Sequence, residues 1–77
     1  ITSSETLFEQ AYLLDKKNYV PCLYLSYINE YKYNNNKNLE DIKQAYIWAK
    51  KAYKINKTDK FTVKQKLDIE KIYKIKN

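Results

Sequence analysis

Histidine, glycine and arginine are missing from this 77-residue sequence, and cysteine, proline and tryptophan occur once each. Without histidine, and with Cys22 as the single cysteine, the chain cannot form a metal site of the His/Cys type. A serine or cysteine nucleophile would also lack a histidine base. Without glycine, there is no glycine-rich loop to hold a phosphate group. We therefore expect no enzymatic activity, no cofactor and no bound metal.

The single cysteine excludes an internal disulfide and favours a reducing, cytoplasmic setting. No apolar run approaches the roughly 20 residues of a membrane span. The first residue is Ile1 rather than methionine, so we expect a fragment or a processed product of a longer protein. The sequence leaves the compartment and the parent protein open.

The lack of glycine disfavours a β-sheet fold, because the tight turns of β-hairpins need residues that adopt positive φ. Apolar residues instead recur at intervals of three and four residues, which is typical of amphipathic helices. The pattern predicts an all-α fold of antiparallel helix hairpins in a single domain, residues 1–77. Its four helices are predicted at about residues 4–14, 19–33, 39–55 and 60–75. The asparagine-rich segment 34–38 is predicted to be an exposed loop.

One segment of the chain occurs twice. Residues 7–18 recur 41 positions later as residues 48–59, with the shared pattern Ala-Tyr-x-(Leu/Ile)-(Asp/Asn)-Lys-x-(Asn/Asp). Each copy lies where a helix is predicted to end in a short polar turn. Asn18 and Asp59, the last residues of the two copies, are suitable caps for the helices that follow. Recurrence at a fixed period is typical of proteins built from repeated helix pairs.

The repeated pattern resembles the end of the tetratricopeptide repeat (TPR), which reads Ala-Leu-x-Leu-(Asp/Asn)-Pro-x-Asn. Lys16 and Lys57 stand where that family has proline. The family period is about 34 residues, and segment 34–38 accommodates the longer period found here. The resemblance covers the second helix of one unit, one full unit, and the first helix of a third.

Small residues extend the resemblance into the helices. Ala45, Ala49 and Ala52 match the second helix of a TPR unit, and Leu25 with Ser26 matches the Leu-Gly pair of the first helix. The related Sel1-like repeat remains an alternative, because the pattern Ala45-x-x-Trp48-x-x-x-Ala52 also fits its helix, although the glycines of that repeat are missing.

The resemblance implies a non-enzymatic scaffold that binds a protein or peptide, for which the positive net charge would suit an acidic partner. In the TPR family the first helix of each unit lines the concave, ligand-facing surface. Carried over to this chain, that surface would lie on the second and fourth helices, at Leu23, Tyr24, Tyr27, Glu30, Tyr31, Lys60 and Lys64. Alternatively, the tyrosines pack against an adjacent helix or another subunit of an oligomer or larger assembly.

The charge distribution supports a second hypothesis. Residues 1–49 carry a net charge of −1, whereas residues 50–77 carry ten lysines against three acidic residues, a net charge of +7. A basic half can attract nucleic acid or an anionic surface, here through Lys50, Lys51, Lys54, Lys57, Lys60 and Lys64. We rank this hypothesis second, because arginine, the preferred residue for bidentate phosphate contacts, is absent.

Overall fold

The computed structural model describes residues 2–76, which form four α-helices joined by short turns. The helices are α1 (Thr2–Leu14), α2 (Val20–Asn36), α3 (Leu39–Ile55) and α4 (Lys60–Lys76). The predicted all-α fold of helix hairpins is therefore confirmed. Residues 1 and 77 of the predicted domain lie outside the described range.

Helix α2 is the central element, because it contacts each of the other three helices. The molecule is flat, with principal extents of 31 × 28 × 15 Å. Such a slab has two broad faces and only a thin core between them. Most large apolar side chains are therefore buried only in part.

Small residues allow the helices to approach closely. Ala45, Ala49 and Ala52 lie along one face of α3 and are fully buried, as is Ser26 on α2. Large side chains fill the space beside them. One buried cluster contains Tyr33, Ile42, Ala45 and Ile69, and the other contains Cys22, Leu23 and Ala52.

The prediction of a loop over residues 34–38 is wrong for its first three residues, because α2 continues to Asn36. Because Tyr33 is buried in the core, the residues that follow it remain helical. The asparagines add local bonds: the side-chain amide of Asn35 donates to the carbonyl oxygen of Tyr31 (2.8 Å). Lys37 then ends the helix with a left-handed φ of 57°, and its N–H donates to the carbonyl of Tyr33. The connection to α3 is therefore only two residues long.

Side-chain caps fix where the later helices begin. Asn38 caps α3 and accepts a hydrogen bond from the N–H of Glu40 (2.9 Å). Asp59 precedes α4, as predicted, and accepts from the N–H of Thr62 (2.9 Å). At the start of α2 the cap position is occupied by Tyr19, while the side chain of Asn18 accepts from the N–H of Val20 (3.1 Å).

A short chain of buried hydrogen bonds joins α2, α3 and α4. The hydroxyl of Ser26 donates to the carbonyl oxygen of Ala45 (2.8 Å) and accepts from the side-chain amide of Gln65 (3.2 Å). The same amide nitrogen donates to Glu30 (2.9 Å). Because buried polar groups are costly when unpaired, these bonds fix the relative positions of the three helices.

Candidate functional site

Three tyrosines form an aromatic surface on α2. Tyr24, Tyr27 and Tyr31 are spaced i, i+3, i+7 and therefore lie on the same side of the helix; we call this surface the tyrosine face. Tyr24 is 46% exposed and Tyr31 is 56% exposed, while Tyr27 is half-buried. The face thus combines one half-buried ring with two exposed rings.

Ring contacts fix the orientation of part of the tyrosine face. Tyr24 stacks on Phe8 of α1, with ring centroids 5.2 Å apart and planes 15° from parallel. Tyr24 also meets the edge of Tyr27, at a centroid distance of 5.9 Å. Two of the three rings are therefore ordered before any partner arrives, which lowers the entropic cost of binding through them.

Charged groups act on the hydroxyl of Tyr27, and one of them is Lys64 of α4. Burial raises the pKa of Tyr27, and the charges that act on its hydroxyl include those of Glu30, Asp59 and Lys64. The ammonium group of Lys64 pairs with Asp68 (2.6 Å), and this hydrogen bond raises the pKa of Lys64. Charges of both signs therefore act on Tyr27, and Lys64 is paired with Asp68 of its own helix.

The other predicted lysine, Lys60, lies one turn before Lys64. It is exposed, and its ammonium group is 5.4 Å from the ring centroid of Phe61. Phe61 is exposed as well. An apolar ring with an adjacent cation therefore marks the first turn of α4.

Leu23 does not belong to this surface, contrary to the prediction. Only 7% of it is exposed, and it lies in the buried cluster with Cys22 and Ala52. The physical reason is the small side chain of Ala52, because it lets α3 come close enough for Trp48 and Ile55 to cover this flank of α2. On a helical wheel Leu23 lies at the boundary of the exposed face, so tertiary packing determines whether it is buried or exposed.

A polar contact ties the start of α2 to the start of α4. The hydroxyl of Tyr19 donates to one carboxylate oxygen of Asp59 (3.2 Å), while the other accepts from the N–H and hydroxyl of Thr62. The N–H of Thr62 is the main cause that lowers the pKa of Asp59. Burial, followed by the hydrogen bond to Asp59, raises the pKa of Tyr19. The contact holds together the ends of the two helices that carry the predicted surface.

This contact predicts a pH-dependent stability. Because the folded pKa of Asp59 is lowered, its charge stabilises the fold above about pH 4, and this contribution is lost as the pH falls through the folded value. Asn is also a good cap, so Asp59→Asn removes mainly the charge. In urea unfolding series, we expect wild type to exceed the variant in stability at neutral pH and the difference to shrink below about pH 4. A difference that did not change with pH would contradict this role of the charge.

An open groove lies on another part of the molecule, between the C-terminal ends of α1 and α3. Its larger part has a volume of about 560 Å³. This part is lined by Tyr12, Lys16, Lys17, Lys51, Lys54 and Ile55. An adjoining part of about 300 Å³ is lined by Glu9, Tyr12, Leu13, Trp48 and Lys51. We call the two together the α1–α3 groove.

The sequence pattern does not by itself indicate this groove. Tyr12, Lys16 and Lys17 belong to the first copy of the repeated segment, whose pattern predicts a helix end and a cap. The recurrence of the Ala-Tyr pattern offered one indication, because it places the ends of α1 and α3 in equivalent positions of successive repeats. The groove itself depends on side chains far apart in sequence, and no periodicity reveals that they meet.

The six lysines of the second hypothesis lie in different surroundings. Lys51 and Lys54 line the α1–α3 groove, whereas Lys50 lies over the ring of Tyr46, 4.4 Å from its centroid. Lys64 pairs with Asp68 on α4. These lysines of α3 and α4 therefore have different neighbours.

Within residues 2–76, no group of three or more His, Cys, Asp or Glu side chains could hold a metal ion. None of the four helices in this range has both the length and the apolar character needed to cross a membrane.

No protein-family model, curated protein or solved structure matches this chain. An assignment of function therefore depends on the chain's own residues and their geometry.

Proposed function

We propose that the chain is a non-enzymatic protein-interaction module of the TPR type, which binds a partner segment or a neighbouring subunit on the face of α2 and α4. The observation that carries the proposal is the tyrosine face, with two accessible rings on the helix that also packs against α1, α3 and α4. Tyrosine is enriched at the energetic centres of interfaces, because it brings a large contact area with a polar tip at low entropic cost.

The helix order supports this assignment. In a TPR-like arrangement, α1 is the second helix of one unit, α2 and α3 are a complete unit, and α4 is the first helix of the next. The buried small residues Ser26, Ala45 and Ala52 lie where such units need close helix contacts. In that arrangement α2 and α4 are the helices that line the concave surface, and the tyrosine face with Lys64 belongs to it.

Exposed apolar residues near the ends of the helix array support a larger assembly. Leu14 at the end of α1 is 88% exposed, and Ile75 near the end of α4 is 79% exposed. Repeat proteins need neighbouring or capping helices to cover such surfaces. A neighbouring subunit, or further repeats of a longer chain, would bury them.

The proposal can be tested by affinity capture from an extract of the native cells, with the immobilised chain and two matched double variants. Tyr24→Ser with Tyr31→Ser alters the tyrosine face at its accessible positions. Leu7→Ser with Leu39→Ser removes two exposed apolar side chains on α1 and α3, outside the proposed surface. All three proteins should first show the same helical content, so that binding is compared between folded chains.

We expect wild type and the Leu7→Ser/Leu39→Ser control to retain the same partners, identified by mass spectrometry. The tyrosine variant should lose them, or retain roughly a tenth as much, because an interface residue at an energetic centre contributes about 2 kcal/mol or more. Identical partners on all three columns would rule out the tyrosine face as the binding surface.

A further inference from the structure

We propose that the α1–α3 groove is a second binding site, separate from the tyrosine face, which takes an acidic amphipathic segment of a partner protein. In such a segment, carboxylates flank an apolar or aromatic anchor. Its carboxylates would pair with the lysines of the groove, and its anchor would rest on the aromatic side chains between them. The inference goes beyond the proposed function, because it concerns different helices and a defined partner chemistry.

Charge is the first observation. Four lysines, Lys16, Lys17, Lys51 and Lys54, line the larger part of the groove. The ion pairs in the described part of the chain involve Lys32, Lys64 and Lys74, so none of the four groove lysines is neutralised by one. One carboxylate, Glu9, lines the smaller part. The groove is therefore strongly positive at its wider end.

Helix dipoles do not account for these lysines. Lysines near the C-terminus of a helix stabilise it, but each helix end carries only about half a negative charge. The ends of α1 and α3 together thus contribute about one negative charge against four positive ones. A surplus of positive charge remains, and the lysines that carry it line a single groove instead of being distributed over separate exposed faces.

The apolar floor is the second observation. Tyr12 meets Trp48 edge to face, with ring centroids 5.4 Å apart. The ammonium group of Lys51 lies 4.6 Å from the centroid of Trp48 and 5.4 Å from that of Tyr12. Leu13, at the rim, is 65% exposed. Cations beside an exposed apolar strip match a ligand that carries both negative charge and an apolar side chain.

The same geometry disfavours single-stranded nucleic acid. Bases bind protein by stacking on open ring faces, but Lys51 lies over the ring of Trp48, and Tyr12 meets that ring through an edge-to-face contact. Arginine, which forms bidentate phosphate contacts, is absent from the chain. Carboxylates need no planar donor pair, and the flexible ammonium groups of lysine can reach them as point charges.

The test uses fluorescence anisotropy with a short labelled peptide that alternates Glu and Leu. A peptide that alternates Gln and Leu is the neutral control, and a short oligo-dT strand is the nucleic-acid probe. Trp48 is the only tryptophan and lines the groove, so its emission gives a second readout of occupancy. We expect the acidic peptide to bind and to change the Trp48 emission, and the neutral peptide and oligo-dT to bind more weakly.

Matched charge variants locate the site. Lys51→Gln with Lys54→Gln, and separately Lys16→Gln with Lys17→Gln, each remove two groove charges. Lys71→Gln with Lys76→Gln removes two exposed charges of α4. Because an exposed ion pair contributes about 0.2–1 kcal/mol, each groove variant, which removes two of them, should weaken peptide binding about two- to thirtyfold. The α4 variant should change it less than about twofold. The Lys16/Lys17 pair lies in the turn after α1, so its result does not depend on the ring contacts of Lys51.

Several outcomes would overturn the inference. Equal losses in the groove and α4 variants would indicate general charge attraction, and tighter binding of oligo-dT would favour nucleic acid. Absence of acidic-peptide binding at low salt would also exclude the site. The Tyr24→Ser/Tyr31→Ser variant separates the two proposals, because it should bind the acidic peptide like wild type. If that variant lost the peptide while the groove variants kept it, the peptide would bind the tyrosine face instead.

Discussion

Replacing Leu25 with Ala is expected to lower the free energy of unfolding by about 2–5 kcal/mol. Leu25 is fully buried and belongs to α2, the helix that contacts all three others. The substitution removes apolar contacts and leaves a cavity that a closely packed interior fills only in part. A typical domain is stable by only about 5–15 kcal/mol, and a chain of this length buries a small core. The variant should therefore lose a large share of its stability.

Urea unfolding followed by circular dichroism measures this effect. Leu14→Ala is the matched control, because Leu14 has the same side chain and is 88% exposed. The control should differ from wild type by less than about 0.5 kcal/mol. If the two variants were equally stable, Leu25 could not be at the centre of the fold described here.

Replacing Ser26 with Leu is expected to have an effect of similar size for a different reason. Ser26 is fully buried where α2 meets α3 and α4, and its hydroxyl bonds both Ala45 and Gln65. A larger side chain overpacks this contact, at a cost of about 1–3 kcal/mol. It also removes both hydrogen bonds, which adds about 1 kcal/mol or more.

Ser26→Ala separates the two contributions to that effect. It removes the hydroxyl without adding volume, so it should cost only about 0.5–1.5 kcal/mol. The amide of Gln65 keeps its bond to Glu30, which limits the loss. If Ser26→Leu were no less stable than Ser26→Ala, space would be available at this position, and the close helix contact would be contradicted.

Helical periodicity was sufficient to predict the fold class and the approximate helices. It also predicted that Tyr24, Tyr27 and Tyr31 share a side of α2, because spacing alone determines the relative direction of side chains on a helix. The same spacing could not predict how far α2 extends. Asparagine disfavours helix by well under 1 kcal/mol per residue, and the burial of Tyr33 next to Asn34 outweighs that preference.

The remaining differences arise from contacts between distant residues. Leu23 is buried because Ala52 lets α3 approach, a contact between residues far apart in the sequence. The α1–α3 groove likewise combines Lys16 and Lys17 with Lys51 and Lys54. Composition shows that the chain is basic, but only the contact of Tyr12 with Trp48 and the lining of the groove show which lysines converge on an aromatic strip.

The tyrosine face can be tested most directly by site-specific photo-cross-linking in an extract of the native cells. A photoreactive benzophenone amino acid would replace Tyr31 in one chain and Leu39 in another, since both positions are exposed and lie on different helices. We predict covalent adducts at position 31 with the partners retained by the wild-type column, and none of these partners at position 39. Adducts with those partners at position 39, with none at position 31, would contradict the assignment of partner binding to α2.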